Sequence, residues 1–331
     1  MIIRSLILST LLLGLATAGP VSAATTPPLN HSPGIVQQDE GADTYAFTIG
    51  DVQVTALSDG TVPQDLHKIL HGITDEKIDE HLAYGYQTNP VELSVNAFLL
   101  EIGDKLALVD TGAGQLFGPG LGDQLLKSLQ AAGVKPEQIT DVLLTHVHSD
   151  HMGGLTRDGQ MVFPNATVHV GKPDVDFFLD PQNAEQANYD QHYFDQAEKI
   201  LEPYVKAGKI DAFDKTTEVL PGLTASLHPG HTPGSAFFTL ESEGQTLTFV
   251  GDIVHAAAVQ LPDPSVTIAY DVNPEEARNV RSEAFAEFAE QRDLVAVPHM
   301  PFPGVGHLRK KGESYEWVPI NYGNREVTTT E

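Results

Sequence analysis

Apolar and polar residues alternate through Phe47-Thr48-Ile49 and again through Val52-Gln53-Val54, with Gly50-Asp51 between them. A period of two interrupted by such a pair predicts two antiparallel strands joined by a tight turn. The run from Phe98 to Val109 repeats the pattern around Gly103-Asp104 and predicts a second hairpin. Short apolar runs at residues 142–144, 168–170, 223–227, 247–250 and 294–297 read as further strands. Helical spacing takes over at residues 121–132 and 275–291. The second of these is opened by Asn273 as N-cap, Pro274 at the first helical position and Glu276 at the capping-box position. Residues 173–207 read as mostly helical, with an interruption near Pro181. Two rounds of strands followed by helices predict an α/β chain whose two sheets pack together with helices outside, a four-layer αββα sandwich.

Length and composition are compatible with one enzyme domain. The chain has 331 residues, of which 41% are hydrophobic, enough for a large core. Its first residues have a different pattern. Arg4 precedes an apolar stretch at residues 6–15, and Val21-Ser22-Ala23 supplies the small-x-small pattern of a signal peptidase site. Residues 1–23 are therefore expected to be a signal peptide cleaved after Ala23, which places the protein in a bacterial periplasm or outside the cell, with no membrane association after cleavage. A membrane anchor is the rival reading, but the stretch is short for a bilayer span and ends in Gly19-Pro20. Residues 24–43, rich in Thr, Pro, Ser and Gly, read as a flexible leader, and residues 44–331 as one domain. The chain contains no cysteine, so export asks for no disulfide. A formal net charge of −26 repels phosphate backbones and argues against a nucleic-acid partner.

Chemistry enters at Thr145-His146-Val147-His148-Ser149-Asp150-His151-Met152-Gly153-Gly154, where three imidazoles and a carboxylate directly follow the apolar run at 142–144. A strand ending there delivers a cluster of metal donors to its tip. One residue between His146 and His148 lets both rings converge on one ion, while Asp150 and His151 are free to face a second. A surface loop that is His-rich by chance is the bland alternative, but short His-rich tracts are themselves a metal signal. Four donors on one loop cannot enclose two ions, so further ligands are expected downstream. His231, in Gly230-His231-Thr232-Pro233-Gly234, Asp252, after Gly251, and His299, after Pro298, each follow a strand-like run. Any of them alone reads equally well as a structural histidine or a turn aspartate; as a series with the first cluster they become candidate ligands.

These residues, together with Leu57-Ser58-Asp59-Gly60, Val109-Asp110-Thr111-Gly112, Leu116-Phe117-Gly118-Pro119, Ala257-Ala258-Val259-Gln260, Asp263-Pro264-Ser265-Val266-Thr267 and Phe302-Pro303-Gly304, resemble the metallo-β-lactamase superfamily. The resemblance runs from about Tyr45 to Tyr322 and, within that superfamily, looks like methyl parathion hydrolase and its lactonase-like relatives. The resemblance implies that His146, His148 and His231 hold one divalent ion, that Asp150, His151 and His299 hold the other, and that Asp252 bridges them. Zinc suits this donor set. It also implies aromatic positions at the pocket mouth, which fall on Phe117, Phe178 and Phe194.

A water between two such ions loses its proton near neutral pH, and that hydroxide is the expected nucleophile towards a carbonyl or phosphoryl centre. Asp252 as the bridge, and Asp150 as a ligand that also steers a proton to the leaving group, are the candidate catalytic residues. Asp110 is a candidate for orienting a ligand histidine. His255, Ile268 and Tyr270 depart from a phosphotriesterase-like pocket, where the resemblance implies smaller or aliphatic groups. A bulkier, more polar wall favours a planar lactone or aryl ester, with organophosphate triesters as the alternative substrate. Authentic β-lactamase activity fits less well, since Asp252 is a bridging carboxylate and cysteine is absent. Redox di-iron chemistry also fits less well, because His148 stands where those relatives carry an acidic ligand. A non-catalytic metal-binding protein and a homodimer both remain open on the sequence.

Overall fold

The computed structural model describes residues 44–323. The expected signal peptide and leader lie outside the described residues. The first hairpin forms as the alternation predicts: β1 (Thr44–Ile49) and β2 (Val52–Gln64) pair antiparallel across Gly50-Asp51. β3 (Val91–Ile102) and β4 (Lys105–Val109) form the second hairpin, and β5 (Asp141–Leu144), β6 (Thr167–Gly171) and β7 (Ile210–Phe213) continue the sheet in parallel. The second sheet runs in order β8 (Thr217–Leu220), β9 (Leu223–Leu227), β10 (Ala236–Ser242), β11 (Gln245–Phe249), β12 (Leu294–Ala296), β13 (Val305–Lys311) and β14 (Ser314–Pro319). Its pairs are antiparallel except for β11 with β12.

Side-chain alternation sorts the apolar residues into layers. Phe98, Leu100, Val109 and Leu143 of the first sheet meet Leu223, Phe238, Leu240 and Phe249 of the second in a shared core. Leu99, Leu108, Val142, Leu144, Val168 and Val170 face the opposite way, against helices α1 (Leu125–Ala131), α2 (Lys172–Phe178), α3 (Gln182–Ala187) and α4 (Gln191–Lys206). On the far side of the second sheet, α5 (Pro274–Gln291) packs Ala284, Phe285 and Phe288 against Val295 and Val297. The four-layer αββα sandwich expected from the sequence is the fold observed.

Two elements differ from expectation. The helix expected over 121–132 starts at Leu125, because Gly118, Gly120 and Gly122 hold positive φ and keep that stretch as turns. The segment 173–207 breaks twice, at Pro181 and again at Asn188, whose φ of 50° ends α3 in the left-handed region. Asp190 then starts α4 by accepting from His192 N.

Candidate metal centre

Each donor follows the end of a strand. Asp110 follows β4, His146 to His151 follow β5, His231 follows β9, Asp252 follows β11 and His299 follows β12. Asp110 takes a left-handed φ of 58° and turns its carboxylate across to β5, where Oδ1 accepts from Thr145 N and Oδ2 from Thr145 Oγ1, both at 2.8 Å. The Gly153-Gly154 pair has a steric cause. A Cβ on Gly153 would come within 2.3 Å of Ala113 O, and one on Gly154 within 1.9 Å of Thr111 O, so only bare backbone passes there.

The structure gathers His146, His148 and His231 into one buried group and Asp150, His151 and His299 into a second. Outer partners show which ring nitrogens carry protons. Asp271 Oδ1 lies 2.8 Å from His231 Nδ1 and accepts its proton. Tyr189 gives its hydroxyl proton to Tyr270 O, so it accepts from His148 Nε2 at 3.0 Å. Thr145 gives its proton to Asp110 and faces His146 Nδ1 at 3.1 Å. The inward atoms converge: His148 Nδ1 stands 3.1 Å from His146 Nε2 and 3.0 Å from His231 Nε2. Three ring nitrogens at that spacing repel unless a proton or a cation lies among them, and a divalent cation is the species that three such donors fit. In the second group, His151 gives its Nδ1 proton to Asp110 Oδ2 at 2.8 Å and His299 gives its own to Ser94 O at 2.8 Å. His151 Nε2 is left buried without a hydrogen-bond partner.

Asp252 lies between the groups. Its Oδ2 is 3.4 Å from His231 Nε2, 3.6 Å from His146 Nε2 and 3.2 Å from His299 Nε2, and its Oδ1 is 3.2 Å from His151 Nε2. His255 also belongs among these donors. Its Nε2 approaches Asp252 Oδ2 to 2.8 Å but off the line of a hydrogen bond, so both its ring nitrogens are buried and unpartnered.

Burial holds His146 and His148 well below the usual imidazole value, the neutral state a ligand needs. Burial acts the same way on His231, but hydrogen bonds to Asp252 and Asp271 outweigh it and raise this ring to about 9. His151 is held well above its usual value, because the Asp252, Asp110 and Asp150 carboxylates overcome its burial. Asp252, although buried, is kept well below the carboxylate range by His151, His299 and His255. A cation entering here competes with protons at His151 and His231 and displaces them.

A cavity of about 180 Å³ opens onto His148, Asp150, Asp252 and His299, walled by Val62, Leu93, Val95, Phe117, Tyr193, His255 and Tyr270. Three residues expected in this wall sit elsewhere. Phe178 and Phe194 point inward from α2 and α4 into the core beneath the first sheet. Ile268 is fully buried with Leu66, Leu70, Ile78 and Leu82. Tyr193 and His192, which do line the cavity, were missed; the Asn188 break that aims the start of α4 at the site is their only local signal. Tyr189 and Asp271 were missed as well. A second cavity of about 360 Å³ lies against the 114–123 loop, lined by Gln115, Pro119, Leu126 and Arg157 and by none of the clustered donors.

A family profile described as the metallo-β-lactamase superfamily matches residues 90–299. Among solved structures, the hydrolase AbOPH, in the beta lactamase superfamily, superposes with a TM-score of 0.81 at 38% identity, covering 86% of this chain and 99% of that one. AidC, a dizinc quorum-quenching lactonase solved with a homoserine product, gives a TM-score of 0.78 at 26% identity, covering 86% of this chain and 100% of that one. The N-acyl homoserine lactonase of Bacillus cereus is 25% identical over 180 residues, 49% of this chain and 64% of that protein. Ribonuclease TTHA0252 of Thermus thermophilus is 27% identical over 194 residues, 53% of this chain and 38% of that protein. The chain thus spans less than two thirds of either curated relative's length.

Proposed function

The chain belongs to the metallo-β-lactamase superfamily and is a metal-dependent hydrolase, and from that premise we propose that it cleaves lactones or aryl esters at a site for two divalent cations, zinc being the best match. The observation that carries this reading is the position of Asp252, one buried carboxylate that reaches donors of both groups: its Oδ2 lies 3.4 Å from His231 Nε2 and 3.2 Å from His299 Nε2, and its Oδ1 3.2 Å from His151 Nε2. His146, His148 and His231 would hold one cation and Asp150, His151 and His299 the other. Cations held there would polarise an ester carbonyl and activate a water near neutral pH.

The remaining work falls to the chain's own side chains. Phe117, Leu93, Val95, Tyr193 and Tyr270 enclose the substrate on apolar and aromatic surface and keep bulk water out. His255 lines the same cavity with its ring, while both its nitrogens are buried and Nε2 lies against Asp252 Oδ2. Asp150 opens onto the cavity with 19% of its side chain exposed, and is placed to take a proton from the attacking water and pass it to the leaving oxygen. A planar lactone or aryl ester suits a space of about 180 Å³ narrowed by His255 and Tyr270 better than a tetrahedral triester does. The dizinc lactonase AidC, alike over 86% of this chain, supports the choice. The ribonuclease relative does not guide it, since a net charge of −26 opposes a polyanionic substrate.

The test is a comparison of kcat/KM on zinc-loaded protein across N-acyl homoserine lactones, aryl lactones, aryl acetates, a dialkyl aryl phosphotriester and a β-lactam. At least one lactone or aryl ester is expected to exceed the phosphotriester by about tenfold or more, the scale on which a pocket wall discriminates. A phosphotriester turned over faster than every lactone and aryl ester would overturn the substrate assignment and make the protein an organophosphate hydrolase.

A further inference from the structure

His231 reaches the three-histidine group from the second sheet, whereas His146 and His148 reach it from the first. Something must fix the spacing between these loops. One backbone bond, Ala236 N to Thr145 O at 2.8 Å, joins them. The other link is a side chain in the first turn of α2. Asp174 is fully buried, and every donor on it comes from the two ligand loops. Its Oδ2 accepts from Val147 N, between His146 and His148, and from Thr232 Oγ1, next to His231, both at 2.8 Å. Its Oδ1 accepts from Gly234 N at 2.5 Å. Backbones touch at this junction: a Cβ on Gly234 would lie 2.5 Å from Asp174 N, and one on Gly171 would lie 2.2 Å from Gly234 O. The glycines of the Gly171 turn and of the Gly-His-Thr-Pro-Gly loop thus let the start of α2 sit between the two loops.

We propose that Asp174 is a positioning residue that sets the distance of His231 from His146 and His148 and thereby determines how tightly the three-histidine site holds its cation. This rests on reading those three histidines as one cation site. A buried aspartate that only stabilised the fold would lower melting temperature without regard to metal, so the readout must be affinity.

Asp174→Asn keeps the shape but leaves one accepting oxygen, so it must release the amide of either Gly234 or Val147, whereas the Thr232 hydroxyl can turn to accept. Zinc affinity, measured by competition with a chromophoric chelator on the full chain, is expected to fall about 10- to 100-fold at one of two sites, the usual effect of losing an outer partner. The same loss is expected in a His299→Ala background, where the three-histidine group is the complete set that remains. Thr232→Val removes one donor and should give a smaller loss at the same site. The amide released by Asp174→Asn lowers the cation-free melting temperature as well, so affinity and not melting temperature is the deciding readout. Unchanged affinity in the His299→Ala background, or a fall in cation-free melting temperature with affinity intact, overturns the proposal. Wild-type protein that takes up fewer than two ions overturns instead the two-cation reading beneath it.

Discussion

Single carboxylates do different work here according to what reaches them. Asp252 is buried among imidazoles, which keep it ionised. Asp59 is equally buried but has no cationic neighbour in contact. It sits at the bulge where β2 slips against β3 between Ser58 and Gly60, and this aims its side chain at Ala113 N (2.8 Å) and Leu125 N (2.7 Å). Burial pushes it from 3.8 up to about 8, against the pull of those amides. A folded value above the unfolded one means that folding takes up a proton. The contribution of Asp59 to stability is therefore most favourable below about pH 4 and worsens as pH rises towards 8, where the buried group ionises. Asn does not titrate, but with one accepting oxygen it gives up one of the two amide bonds at every pH. The stability of Asp59→Asn relative to wild type should therefore improve as pH rises from 5 to 8, read as the difference in urea midpoints, on top of that constant loss. A difference that does not change with pH would mean that the two amides keep Asp59 charged throughout.

At the scale of elements, α5 shows how ordinary helix chemistry serves the site. Asn273 caps it by accepting from Glu276 N at 3.3 Å, while Asn273 N and Val272 N donate to Gly230 O and His231 O at 2.9 Å. The helix start and the His231 loop are therefore one unit. Asn273→Ala is expected to cost about 1 kcal/mol, seen as a lower urea midpoint; no shift would show that the Pro274 start suffices without the cap. This cap was legible in the sequence, as were both hairpins, because turn pairs, periodicity and caps are local signals. The seven clustered donors were legible because they are dense or stand at the ends of apolar runs. The cavity wall was less so. An aromatic on a helix reads the same whether it faces the core or a pocket, and Phe178 and Phe194 proved to be core while Tyr193, on the same helix as Phe194, faces the site. Tyr189 and Asp271 were invisible for another reason: each serves a histidine about 40 positions away in the chain, and no local pattern encodes such a contact.

For the molecule as a whole, the two groups of donors join what the core joins. His146, His148, Asp150 and His151 belong to the first sheet, and His231, Asp252 and His299 to the second. The inter-sheet core of Phe98, Leu143, Phe238 and Phe249 already binds the layers without any ion, so the cation-free protein should fold. It should nevertheless be less stable, because an ion that binds the folded state and not the unfolded one adds about 2.7 kcal/mol at a free concentration one hundred times its Kd. For a domain of this size each kcal/mol is worth about 2–4 °C, so stripping one ion should lower the melting temperature by roughly 5–10 °C. Chelator followed by dialysis should produce that fall, and addition of two equivalents of zinc should reverse it. Because the clustered donors come from both sheets, His231→Ala and His299→Ala should each remove part of the zinc-dependent gain while leaving the cation-free melting temperature near that of wild type. Equal melting temperatures with and without chelator, in protein shown by elemental analysis to lose its ions, would mean that the unfolded chain holds the cations as tightly as the folded one, against a site assembled by the fold.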